Sequence, residues 1–209
     1  MKIPVELWVR LKVMDLVAQT ARITLAEKLN FADRLRGITR YWYWGMEAEG
    51  ADEKNIVEEI DRAIRLDGAF TNQNKHLYRL AALGGPARGD LALEKDLSLA
   101  GGTAAGGGNL YAFDCLVREK RPDREIGFTE RLNARIKGVT VSGMKHGEVW
   151  RLVVSASSEK AALADVERML VSRSRREGLL LNPHYQQYEI IAATRVEAGK
   201  PAAGARGKE

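Results

Sequence analysis

One cysteine, Cys115, serves a chain of 209 residues, so no internal disulfide is available. Three histidines, His76, His146 and His184, stand too far apart from each other and from Cys115 to form a zinc-ligand spacing. No apolar run approaches the roughly 18 residues that a spanning helix needs. The first residues alternate, with charges at Glu6, Arg10 and Lys12, and do not resemble a signal peptide. These absences predict a cytoplasmic chain with no structural metal and no membrane partner. What is present is ordinary for a globular protein: 45% hydrophobic and 29% charged residues, enough to build a core.

The net charge of +5 is unevenly placed. Residues 1–83 carry 13 basic and 12 acidic side chains, and residues 111–209 carry 18 and 13. The second half therefore holds almost all the excess, which suits an acidic surface or a phosphate but is too modest for a dedicated nucleic-acid binder. Glycine is uneven as well: 8 of the 20 lie between Gly84 and Gly108. That density predicts a Gly-rich linker over residues 84–110. Residues 195–209, rich in Ala, Gly and Lys, read as a disordered tail.

The segments on either side of the linker, 3–83 and 111–194, look like copies. Asn72 falls on Asn182 and Tyr78 on Tyr188 at an offset of 110, with an apolar residue two beyond each tyrosine. Val9–Arg10 matches Val117–Arg118 and Asp15 matches Asp123 at an offset of 108, and Gly37–Ile38–Thr39 matches Gly138–Val139–Thr140 at 101. Such self-similarity predicts an internal duplication.

Within the first segment, Val5, Leu7, Val9, Leu11 and Val13 alternate with polar positions, the pattern of a half-buried strand. Asp15 is placed to cap a helix with Val17, Ala21, Leu25 and Leu29 on one face. Residues 37–46 read as a strand. Asp52 opens a second helix with Ile56, Ile60 and Ile64 inside, and Leu77–Ala81 closes as a strand. In the second segment, strands are expected over 112–118 and 188–192 and helices over 124–135 and 158–172. A hairpin is expected over 139–154, turning near Lys145–His146–Gly147. The sum is an α+β fold of two tandem ferredoxin-like β-α-β-β-α-β units.

A search for chemistry finds no nucleophile elbow, no His-Glu-x-x-His and no Cys–His pair, and the Gly101–Gly108 run lacks the Gly-Lys-Ser/Thr end of a phosphate loop. Tyr41–Trp42–Tyr43–Trp44, beside Arg34, Arg36 and Arg40, fits either a core or interface filler or a platform for stacking bases. Arg173–Ser174–Arg175–Arg176 follows a helix, where basic residues complement the dipole or contact phosphate. No catalytic, cofactor-binding or metal-binding residue is assigned.

Residues 178–183, Gly-Leu-Leu-Leu-Asn-Pro, with Tyr188–Glu189–Ile190, resemble the closing motif of the PurS family, the small subunit of phosphoribosylformylglycinamidine (FGAM) synthase. Val9–Arg10–Leu11–Lys12 with Asp15 is similar to that family's opening strand, and Arg40–Tyr41 to the basic-Tyr pair of its second strand. The chain departs from the family pattern at Leu16–Val17–Ala18, where Pro-x-Gly follows the Asp, and at Gln73, where Pro is usual. The resemblance implies a non-catalytic bridging subunit of a ligase complex for purine biosynthesis, its two halves paired as a pseudo-dimer. Its partners would be the synthetase and glutaminase subunits, which would bind the ATP, magnesium and glutamine. Arg10, Lys12, Arg40, Tyr41, Asn72, Tyr78, Asn182, Pro183 and Tyr188 would then lie at partner interfaces, and self-association into a homo-oligomer stays open. The alternative is a PurS-like module recruited to bind a small molecule or to act as an assembly adaptor.

Overall fold

A computed structural model of the chain describes residues 1–93, 109–121, 123–174 and 177–196. In chain order these form β1 (Lys2–Leu11), α1 (Leu16–Ile23), a π-helical turn (Thr24–Lys28), β2 (Leu35–Glu49), α2 (Glu53–Leu66), β3 (His76–Ala82), β4 (Asn109–Glu119), α3 (Asp123–Asn133), β5 (Thr140–Ala156), α4 (Glu159–Leu170) and β6 (Gln186–Val196). The fold is α+β. Six strands make one antiparallel sheet in the order β3-β1-β2-β5-β4-β6. The order is unchanged when β1, β2 and β3 are exchanged for β4, β5 and β6 and the sheet is read from the other end.

Each half therefore runs β-α-β-α-β. The two middle strands expected between the helices are one long strand, of 15 residues in β2 and 17 in β5. In β5 the chain passes straight through Lys145–His146–Gly147, where the sequence suggested a turn. A lone Gly without a flanking Asn or Asp does not force a hairpin. His146 is instead pinned in the strand: its Nδ1 donates to the Tyr43 carbonyl at 3.1 Å, and its ring stacks on Trp44 at 4.8 Å.

The chain forms two compact units, and neither is a continuous segment. The first comprises residues 1–14, 41–91 and 118–149, and the second 15–40, 92–117 and 150–209. Because β2 and β5 do not turn back, the chain changes unit within each of them. Each unit thus receives one helix from each half.

In the first unit, Val5, Leu7 and Val9 of β1 face Ile56, Ile60 and Ile64 of α2, and all six are fully buried. Leu132 and Phe128 of α3 join the same core with Trp44 and Phe70. Asp52 caps α2 by accepting the Asn55 N–H at 2.8 Å. Trp8 sits at a position that strict alternation assigns to solvent, yet it is buried edge-on between Tyr41 (5.6 Å) and Tyr43 (5.1 Å). The four aromatics of residues 41–44 thus divide between the two faces of β2, Tyr41 and Tyr43 beside Trp8, Trp42 and Trp44 in the α2 core. Gly84–Leu93, expected as linker, folds back on β3. Arg88 and Leu80 exchange backbone hydrogen bonds, and Leu91 donates to the Tyr78 carbonyl. An edge strand is thereby partly covered. The glycine run 101–108 lies outside the described residues.

In the second unit, Asp15 caps α1 as expected, accepting from the N–H groups of Val17 and Ala18. The buried stripe is Ala18, Ala21 and Leu25, while Val17 is exposed. The helix loosens into its π turn where Thr24 Oγ1 bonds back to the Thr20 carbonyl, and it ends at Asn30 (φ 61°). These residues pack on Phe113, Cys115, Leu152, Val154 and, from α4, Val166 and Leu170. Asp114 and Arg151 form a bidentate pair (2.6 and 2.8 Å) with both side chains buried. β6 continues to Val196, past the expected end of the segment at 194. Residues 197–209 and Arg175–Arg176 lie outside the described residues.

Candidate functional site

Both halves build the same turn between their second helix and last strand. In the first, Asn72 Oδ1 accepts from the Asn74 N–H, its carbonyl accepts from Lys75 and His76, and its own N–H donates to His76 Nδ1 at 3.1 Å. In the second, Asn182 Oδ1 accepts from His184, its carbonyl accepts from Tyr185 and Gln186, and its N–H donates to Gln186 Oε1 at 2.9 Å. The tyrosine that follows is tied to the helix in each case. Tyr78 donates to Asp61 at 2.7 Å and Tyr188 to Glu167 at 3.1 Å. Burial, then the bonded acid, raises both phenols, that of Tyr78 to about 12.

In the first unit a cavity opens beside this turn. It has a volume of about 430 Å³ and is lined by Lys12, Arg65, Gln73, His76, Tyr78, Gly89 and Asp90. Arg65 is fixed by two partners: its Nε donates to Tyr78 Oη at 2.8 Å, its Nη2 pairs with Asp61 at 2.9 Å, and its guanidinium lies over the Tyr78 ring. Lys12 Nζ donates to the Gln73 carbonyl at 2.6 Å, and no carboxylate pairs with it among the described residues. Asp90 accepts the Tyr78 N–H through one oxygen. Gly89 (φ 97°) is required here, because a Cβ would lie 2.2 Å from the Tyr78 carbonyl oxygen. His76 rests on Trp42 at 5.3 Å. Since Nδ1 accepts from Asn72, the ring hydrogen is on Nε2. Burial and then the nearby Lys75 charge lower its pKa, so the ring is neutral at pH 7.

The arrangement holds positioned donors around a cavity, and its hydroxyl, that of Tyr78, is tied between Asp61 and Arg65 with its pKa pushed up. Cys115 is buried and its thiol is pushed up to about 12, by burial and then by Asp114 and Glu167. Among the described residues no group of three or more His, Cys, Asp or Glu is arranged to hold a metal ion, and no helix is long and apolar enough to cross a membrane.

Of the residues singled out in the sequence, Lys12 and Tyr78 meet at this cavity, and Asn72 immediately precedes its lining residue Gln73. Arg10 is half-buried in β1, in register with Leu77. Tyr41 is fully buried, which gives it to packing. Arg40 holds Asp15 through Nε (2.9 Å) and Nη2 (3.3 Å), and its guanidinium lies 5.9 Å from the Trp150 ring centre. Asn182, Pro183 and Tyr188 belong to the second unit's turn. Sequence reasoning missed Arg65, Gln73, His76 and Asp90. The fourth-residue spacing Asn72–His76, set against Asn182–Gln186, was the available signal.

No family model, no curated protein and no solved structure matches the chain.

Proposed function

We propose that this chain is a non-catalytic accessory protein made of two PurS-like repeats in tandem, ferredoxin-like in ancestry and paired within one chain. It would act in the cytoplasm in de novo purine biosynthesis, bridging the synthetase and glutaminase subunits of an FGAM synthase. Those partners would carry ATP, magnesium and glutamine. The observation that supports this reading is the repeated turn: Asn72 and Asn182 make the same bonds, and Tyr78 and Tyr188 are each tied by the hydroxyl to an acid on the preceding helix. Of these residues, Asn182 and Tyr188 belong to the closing motif on which the resemblance rests. The middle of each half, residues 15–40 and 118–149, lies in the compact unit that holds the rest of the other half, as in an obligate pair.

A tagged pull-down from the native host, with glutamine and magnesium-ADP present, tests the role. Recovery of a synthetase together with a glutaminase is the expected outcome. Recovery of neither from a lysate that contains both removes the assignment. A second reading, a small-molecule-binding module recruited from the same family, is favoured by one observation, the donor-lined cavity of the first unit.

A further inference from the structure

The two halves separate what the turn needs from what has been added to it. The fold requires Asn, an acceptor four residues on, and a Tyr bonded to an acid, and both halves supply these. Gln73 and His76 are extra, and Arg65 is placed differently from any basic residue of the second half. At the turn's offset of 110, Gln73 and His76 correspond to Pro183 and Gln186; Val171 stands four residues beyond Glu167 as Arg65 does beyond Asp61, and in the second unit it is Arg173 whose charge acts on the Tyr188 phenol. Gln186 serves as the acceptor for Asn182, so a histidine is not needed for that bond. His76 therefore presents a second ring nitrogen, bearing hydrogen, that the turn does not use. Arg65 spends Nε and Nη2 on Tyr78 and Asp61, which locks its guanidinium in place at the cavity wall. The Lys12 ammonium makes one bond of the three it is able to make.

We propose that this cavity binds the phosphate group of a small hydroxylated phosphomonoester, with the phosphate held by Lys12, Arg65 and His76 and a neighbouring hydroxyl held by Asp90. Three separated donors suit the three terminal oxygens of a phosphate better than the two of a carboxylate, and charge-assisted bonds of this kind are the strong ones. Asp90 has one oxygen on the Tyr78 N–H and offers the other to a hydroxyl. A volume of about 430 Å³ exceeds what a bare phosphate fills, and it lies in the usual range for small-molecule sites. The charged and titratable groups around His76 are Lys12, Lys75 and Arg65 on the positive side, Asp90 and Asp61 on the negative side, and Tyr78. Both causes acting on the ring, burial and Lys75, oppose its protonation, and a bound dianion reverses the second. The proposal does not rest on the accessory role above.

The test follows the His76 imidazole nitrogens by NMR in the full chain during titration with glycerol phosphate, and in parallel with inorganic phosphate and with glycerate. The expected result is a saturable shift of the His76 Nε2 signal and a raised His76 pKa with glycerol phosphate, with weaker binding of the other two. Lys12→Gln and Arg65→Val should each weaken binding by about tenfold or more. Lys120→Gln, at the corresponding place in the second half, should not. Lys12 is exposed, so its variant should keep the wild-type melting temperature. The proposal is overturned by an unmoved His76 signal, by equal loss in Lys12→Gln and Lys120→Gln, or by glycerate or inorganic phosphate binding as tightly as the ester.

Discussion

The first unit ends its helix–turn–strand motif in Arg65, Gln73 and His76, and the second ends the same motif in Val171, Pro183 and Gln186. Backbone bonding is the same in both: an Asn side chain closes the turn and a Tyr hydroxyl binds the helix acid. What differs is which side chains are left over for a ligand. A pair of turns built alike within one chain thus serves as its own control, because the bonds they share belong to folding. His76, the ring donor for which the second half has Gln186, needs another explanation.

Buried charge also divides the units, and it supplies the largest test. In the second unit Asp114 and Arg151 are both buried and face each other. In the first, Asp67 is fully buried but is held by two half-exposed arginines, Arg131 and Arg135. Arg151→Ala should destabilise by about 3–5 kcal/mol, since it leaves a carboxylate buried without its partner. Arg135→Ala should cost about 1 kcal/mol or less, because Arg131 remains and solvent screens the pair. Urea denaturation of the two variants checks this, and equal losses would erase the distinction.

The paired tyrosines come next. Tyr78→Phe removes a buried hydrogen bond to a charged group and should cost about 1.5–3 kcal/mol. Tyr188, half-buried with a longer bond, should lose about 0.5–1.5 kcal/mol on the same change. Thermal melts of Tyr78→Phe and Tyr188→Phe rank them; the reverse order would show that burial does not set the difference.

The helix caps give a smaller effect. Asp15→Ala should cost about 1–2 kcal/mol and Ser158→Ala about 0.5–1 kcal/mol, both by loss of an N-cap bond. Asp15 stands higher because it also anchors Arg40 of β2. Melting temperatures of the two variants should differ in that direction.

The gentlest comparison is with pH. The described histidines whose pKa is lowered on folding, His76 and His146, are both in the first unit. For His146 the causes are burial first and then Arg124, against the Tyr43 carbonyl, Glu125 and Glu119. A lowered folded pKa means that the unfolded chain binds the proton more readily. Stability is therefore full above the unfolded value of 6.5 and declines as pH falls below it. His146→Gln should flatten part of that decline between pH 7 and 5. A melting-temperature profile parallel to wild type would show that His146 does not contribute.

Local features were legible before the structure. Asp15 and Asp52 were identified as caps because a cap needs only a side-chain oxygen two or three residues before the first free N–H groups. The Ile56–Ile60–Ile64 stripe was identified because its period matches the helix. The Asn72 and Asn182 turns were visible as a repeated pattern. Val17 and Trp8 were misplaced for one reason: periodicity tells which residues share a face, but not what covers that face. The turn suggested at Lys145–His146–Gly147 failed because pairing of β5 with its neighbour outweighed a weak local signal.

The sequence by itself determined where helices start, which residues face their neighbours within an element, and that two turns are built alike, all of which depend on interactions a few residues apart. Only the tertiary structure decided that β2 and β5 run on without turning, that each unit takes a helix from each half, and that Lys12, Arg65, His76 and Asp90 line one cavity. The last of those outcomes brings together groups up to 78 positions apart in the chain and the others groups still farther apart, and long-range contacts of that kind are set by how whole elements pack.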